Sequence, residues 1–126
     1  MSESAAKPGQ MVEVGPLGKL LQAQQQTLLI RTNGVEIIQL VIPAGEQVPT
    51  HEAQGEIILH CLEGHVTLAV GGESRELKAG QLLYLIVNEP FSIQGIEAAS
   101  LLATIILPRE GSGVDLIGDS TRPRRK

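Results

Sequence analysis

From Gln26 onward the chain alternates short apolar runs with turn residues, in the rhythm of β-strands rather than helices. Thr27-Leu-Leu-Ile-Arg31 and Val35-Glu-Ile-Ile-Gln-Leu-Val-Ile42 flank Asn33-Gly34, a pair that accepts the positive φ of a two-residue hairpin turn. Pro43-Ala-Gly45 closes the second run, and a proline-containing loop from Val48 to Gly55 follows. The strand pattern resumes over Glu56 to Leu62, turns at Glu63-Gly64 and continues over His65 to Val70, where Val66, Leu68 and Val70 share one face. Gly71-Gly72 predicts a second hairpin into Glu73 to Lys78. Ala79-Gly80 leads into Leu82 to Val87, and Asn88-Glu-Pro90 turns the chain into Phe91 to Gly95. A last run from Ala98 to Leu107 ends at Pro108. The pattern amounts to about eight short strands, the arrangement of a sandwich or barrel and not of βαβ units.

The flanks read differently. Residues 1–16 are small or polar, with Pro8, Gly9, Gly15 and Pro16, and predict a flexible arm. Leu17, Leu20 and Leu21 fit one or two helical turns before the first strand. After the barrel segment, 17–108, the chain passes into Gly, Ser, Asp and Arg, a polar and basic tail over 109–126 with one short strand at Val114 to Ile117. There are no internal repeats.

Composition supports strands and narrows the chemistry. The chain is 42% hydrophobic but 2% aromatic, with no Trp, one Tyr and one Phe, so Leu, Ile and Val must fill the core. At 126 residues it buries enough surface to fold without a disulfide or zinc staple. So few aromatics exclude base stacking on single-stranded nucleic acid and an aromatic cage for a cation. Between Leu20 and Pro108 three basic residues face nine glutamates, a balance of -6 that repels a phosphate backbone. The last five residues carry four cations, Arg122, Arg124, Arg125 and Lys126, read as a solvated end that could also touch an acidic partner. The single cysteine, Cys61, sits in an apolar run as a small buried hydrophobe. No basic start followed by an apolar stretch marks a signal peptide, and no run approaches membrane-spanning length, so a cytoplasmic protein without nucleic-acid or membrane partners is expected.

The ordered punctuation Pro43-Ala-Gly45, His51, Gly55-Glu-Ile-Ile-Leu-His-Cys-Leu-Glu-Gly64, Ala79-Gly-Gln-Leu-Leu-Tyr-Leu85 and Asn88-Glu-Pro90 resembles the cupins. The resemblance implies an all-β fold, a double-stranded β-helix or jelly-roll barrel, between a disordered N-terminal arm and the basic C-terminal tail. It also implies a metal site of three histidines and a glutamate. The first motif's Gly, five residues and first His fall on Gly45 and His51, and its closing Gly on Gly64. The second His falls on Ala53 and the glutamate on Ile57, with Glu56 one residue early. In the second motif the expected Pro falls on Ile86, the Gly on Asn88 and the third His on Phe91. Of four expected ligands only His51 remains, and one imidazole facing apolar side chains cannot offset the desolvation of a divalent ion. Glu56 could replace Ile57 only through a bulge, because a one-residue slip turns a strand side chain to the other face. No metal and no cofactor are expected.

Other chemistry is thin. His60 and His65 fall outside any closed zinc pattern and read as surface or subunit-contact imidazoles. There is no Gly-x-Ser-x-Gly elbow, and Gly71-Gly72 and Gly111-Ser-Gly113 are a turn and a tail rather than phosphate loops. No catalytic residue is assigned. His51 reads either as a polar anchor at the barrel mouth or as a loop-holding histidine.

Three functions stay open. The first is a metal-free small-molecule-binding or sensory barrel, its pocket lined by His51, Ala53, Ile57, Leu59, Cys61 and Phe91 and holding a small organic ligand. The second is a metal-dependent oxygenase or isomerase with a non-standard ligand set, and the third a non-catalytic structural or regulatory dimer. The balance leans away from an enzyme. Outward-pointing Ile58 and Leu62 predict a homodimer.

Overall fold

The computed structural model describes residues 5–18, 23–52, 55–86 and 88–107. Its elements are all strands: β1 (Gln25–Arg31), β2 (Val35–Ile42), β3 (Gln47–Glu52), β4 (Glu56–Val70), β5 (Glu73–Lys78), β6 (Leu82–Leu85) and β7 (Pro90–Ile106). Every pairing among them is antiparallel.

Two long strands organise the barrel. β4 and β7 pair with each other along nearly their whole length. On its other edge β7 pairs first with β3 and then with β2, while β4 pairs first with β6 and then with β5. The result is one layer ordered β1-β2-β7-β4-β6 and another ordered β3-β7-β4-β5, with β4 and β7 passing from one layer to the other. This is the double-stranded β-helix of a jelly roll.

The crossing requires the long strands to bend, and the sequence supplies the means. In β4 the register against β7 shifts three times between Cys61 and Val66. The buried positions accordingly switch from Ile57, Leu59 and Cys61 to Val66 and Leu68, a change of parity that bulges produce. Gly64 sits at this bend with φ +81, where a Cβ would lie 2.0 Å from the carbonyl oxygen of Ala98. Only glycine fits both the backbone conformation and the approach. In β7 the bend carries Gly95, whose amide and carbonyl bond Glu46 and Gly45 across the turn that follows Pro43.

One hydrophobic core lies between the layers. It joins Ile42, Ile57, Leu59, Cys61, Val66, Leu68, Leu77, Leu85, Phe91, Ile93, Ala99, Leu101 and Ala103, all buried. Aliphatic side chains supply nearly all of it, each fully buried one contributing about 1.5–3 kcal/mol of transfer free energy. The outer face of the first layer is partly covered by the segment before β1. There Gln39 Nε2 donates to Val14 O (3.0 Å) and to Ser100 Oγ (2.9 Å), and Glu63 Oε2 accepts the Leu17 amide at 2.6 Å.

Strand count and boundaries differ from the sequence-based expectation. Seven strands form among the described residues. The two runs divided at Glu63-Gly64 are one strand, β4, and the two divided near Ile96 are one strand, β7. The expected loop after Val48 instead contains β3. Pro49 is tolerated there because it falls inside the register shift between Val48 and His51, where no ladder hydrogen bond is demanded of it. Of the expected helical turn, residues 19–22 lie outside the described residues, as does the expected strand at Val114 to Ile117.

Candidate functional site

A cavity of about 90 Å³ opens at the barrel mouth formed by β1, β2, β3, β4 and β7. Strand alternation aims its walls: Ile38 and Leu40 come from β2, Ile57 and Leu59 from β4, and Phe91, Ile93, Ala103 and Ile105 from β7. Val48 and His51 of β3 and Gln26 of β1 complete the lining. Beside it lies a shallower hollow of about 230 Å³, lined by Gln24, Gln25, Gln26, Leu40, Val41, Ile42 and Val48. The two spaces share Gln26, Leu40 and Val48. Polar groups in the joint lining are three amides and one imidazole, and no charged side chain faces either space.

His51 stands at the rim. It is exposed, directly opposite Phe91 in the β3–β7 ladder, and the two rings meet edge to face with centroids 6.2 Å apart. The contact positions the imidazole over the apolar interior. Among the described residues the ring makes no hydrogen bond to the chain, so its nitrogens are available to a guest.

Of the six residues expected at the pocket, His51, Ile57, Leu59 and Phe91 line this one cavity. Cys61, two residues further along β4, lies in the core away from the cavity wall. Its thiol is within 3.3 Å of Glu63 O, and burial pushes its pKa up. Ala53 lies outside the described residues. Sequence reasoning missed Val48, Ile93, Ala103 and Ile105, and also Gln26, Ile38 and Leu40. Gln26 pairs with Leu40 and Leu28 with Ile38 only because the register shifts between Leu28 and Ile30, so counting back from Asn33-Gly34 does not place Gln26.

The donor set does not fit the metal that the fold implies. At the positions where three imidazoles and a carboxylate would converge, His51 meets the buried side chains of Ile57 and Phe91. Glu56 offers no rescue, because the ladder from Glu56 to Cys61 runs without a shift and its carboxylate points outward to accept the Tyr84 hydroxyl at 2.6 Å. Among the described residues no three His, Cys, Asp or Glu side chains gather at one point. His60 faces outward opposite Leu82 and Leu102, half-buried, and His65 pairs with Glu76 at 3.1 Å. Outward-facing Ile58 and Leu62 are half-buried. No helix among the described residues is long and apolar enough to cross a membrane.

Comparison with known proteins agrees with this architecture. The sequence pattern of the family described as Cupin domain matches residues 38–104. An uncharacterized protein of Methanocaldococcus jannaschii is 32% identical over 71 residues, 56% of this chain and 61% of that protein, so the match spans less than two thirds of the relative. Among solved structures, a conserved protein of unknown function from Streptococcus pyogenes superposes with a TM-score of 0.70 at 16% identity, covering 87% of this chain and all of that one. An RmlC-like cupin with a double-stranded β-helix fold from M. jannaschii superposes with a TM-score of 0.69 at 23% identity, over 81% of this chain and 94% of that one.

Proposed function

The chain belongs to the Cupin domain family, and on that premise we propose that it is a metal-free binding barrel for a small, uncharged, mostly apolar organic molecule. The observation that carries this reading is the cavity itself: an apolar well of about 90 Å³ rimmed by the His51 imidazole and the Gln26 amide. Mostly apolar walls with a few convergent polar groups are what small-ligand pockets consist of. The well accepts an apolar portion of a few carbon atoms, since an apolar cavity of ~150 Å³ holds a benzene ring. The adjoining hollow with Gln24, Gln25 and Gln26 accommodates a neutral polar head. A carboxylate or ammonium would lose its hydration with no opposite charge in the lining to compensate.

The test is a thermal-shift comparison of neutral probes (butan-1-ol, isobutyramide, cyclopentanone) with charged counterparts (butyrate, butylammonium). Upward shifts are expected from the neutral set alone, and they should vanish in His51→Ala while that variant's own melting temperature stays within a few degrees. Equal shifts from the charged set, or neutral shifts unaffected by His51→Ala, would refute the reading.

A further inference from the structure

The two layers of the barrel turn different faces outward. Where β7, β4 and β5 run side by side, Val66, Leu68 and Ile93 are buried and the alternate positions face out. Those positions are polar: Thr67 of β4, Ser74, Glu76 and Lys78 of β5, and Gln94 of β7. This is the alternation of a sheet with one side in water. In the other layer the outward positions of β7, β4 and β6 form three rows across the strands. They are Leu102, His60 and Leu82, then Thr104, Ile58 and Tyr84, then Ile106 and Glu56, with Ile86 one step past β6. These three strands are therefore mostly apolar on both sides.

The outer side is also open. Leu82 is 66% exposed, Tyr84 57%, Ile86 54% and Ile106 39%. Glu56 is the one carboxylate in the rows, it accepts the Tyr84 hydroxyl at 2.6 Å, and the rows hold no Lys or Arg.

We infer that this face is where two copies of the chain meet, stacked face to face about a two-fold axis close to Ile58 and Tyr84. Two features favour a second copy. An isologous contact sets each group against its own copy, so a surface with several like charges would repel itself. The rows are nearly free of charge on a barrel whose segment 20–108 bears a balance of -6. That acidity also opposes docking on an anionic lipid surface. The second feature is area. At about 200 Å² for a fully exposed side chain of this size, the four open residues leave on the order of 400 Å² uncovered per copy. With the half-buried members of the rows the pair buries about 1,000 Å² in all, near the lower limit of a specific interface. The association is therefore reversible and falls apart on dilution.

The chain carries its own reporter. Tyr84 is the only tyrosine and there is no tryptophan, so tyrosine fluorescence reads this face alone. The experiment is sedimentation equilibrium of the full chain from about 1 to 200 μM, with acrylamide quenching of Tyr84 over the same range. The mass is expected to rise toward twice that of one chain while the quenching constant at least halves. Leu82→Glu should keep the single-chain mass throughout, and Gln94→Glu, on the polar layer, should associate as the wild type does. A single-chain mass for the wild type at every concentration would overturn the inference. So would a doubled mass with Tyr84 quenched equally at both ends of the range, which places the contact on another surface without recourse to any variant. Association of Leu82→Glu equal to that of the wild type would overturn it as well.

Discussion

Ala103→Leu separates a ligand-holding barrel from one packed with its own side chains, because the two readings predict opposite signs. Ala103 is buried at the middle of the cavity wall, opposite Ile38 of β2 and Leu59 of β4. A leucine there places three more carbon atoms into a space of about 90 Å³. At ~24 cal/mol per Å³ of cavity, that void corresponds to about 2 kcal/mol of stability not realised. Because the mouth is open to water, the recoverable part is smaller, about 1 kcal/mol. If the space were already filled, the same substitution would overpack the core and cost about 1–3 kcal/mol. Urea denaturation reads the difference directly, as a midpoint moving up or down at constant m-value. A gain of 1 kcal/mol also raises the melting temperature by about 3–6 °C for a domain of this size. The filled cavity should in addition abolish the shifts produced by the neutral probes, which reach about 2.7 kcal/mol at a hundredfold excess over Kd. A lower urea midpoint with an unchanged m-value would refute the reasoning, because the proposed ligand would then have no container.

Three further outcomes are expected. Gly64→Ala combines a left-handed backbone with a Cβ 2.0 Å from Ala98 O, so the variant should lose at least about 2 kcal/mol by urea denaturation, and a near-neutral result would mean the β4 bulge relaxes freely. Ser100→Ala strips the buried Gln39 amide of an acceptor and should cost about 1–3 kcal/mol, with most of it recovered in Gln39→Leu/Ser100→Ala; failure of the double variant to recover would show that the Gln39 bond to Val14 O matters more. Burial raises the Cys61 pKa, so the unfolded thiol ionises first and stability is full below the ordinary thiol range and falls from about pH 8.5 upward. Cys61→Ala should flatten that alkaline decline, and an identical slope in both proteins would exclude the thiol as its source.

How much of this was readable beforehand follows from what each residue signals locally. Gly71-Gly72, both at positive φ, fix one hairpin through their backbone preference, whereas Asn33-Gly34 turns without positive φ, the Thr32 hydroxyl accepting the Gly34 and Val35 amides; β2 and β5 begin and end where the pattern predicts. Gly64 shows the limit. A glycine between apolar runs fits a turn and a bulge equally well, and only the long pairing of β4 with β7 selects the bulge. β3 was hidden for the opposite reason: Gln47-Val-Pro-Thr-His-Glu52 has little β character of its own and becomes a strand because β7 offers it an edge. The site divides in the same way. His51, Ile57 and Phe91 could be placed from motif spacing, and all three line one cavity. Gln26, Ile38 and Leu40 enter from the first hairpin, whose position against the mouth is set by the pairing of β2 with β7 and not by anything near those residues in the chain. The same pairing brings the amides of the β1 end beside the imidazole of β3. A group of amides and an imidazole over an apolar well therefore arises from long-range register, which is why the polar lining can be argued from the structure and not from the motifs alone.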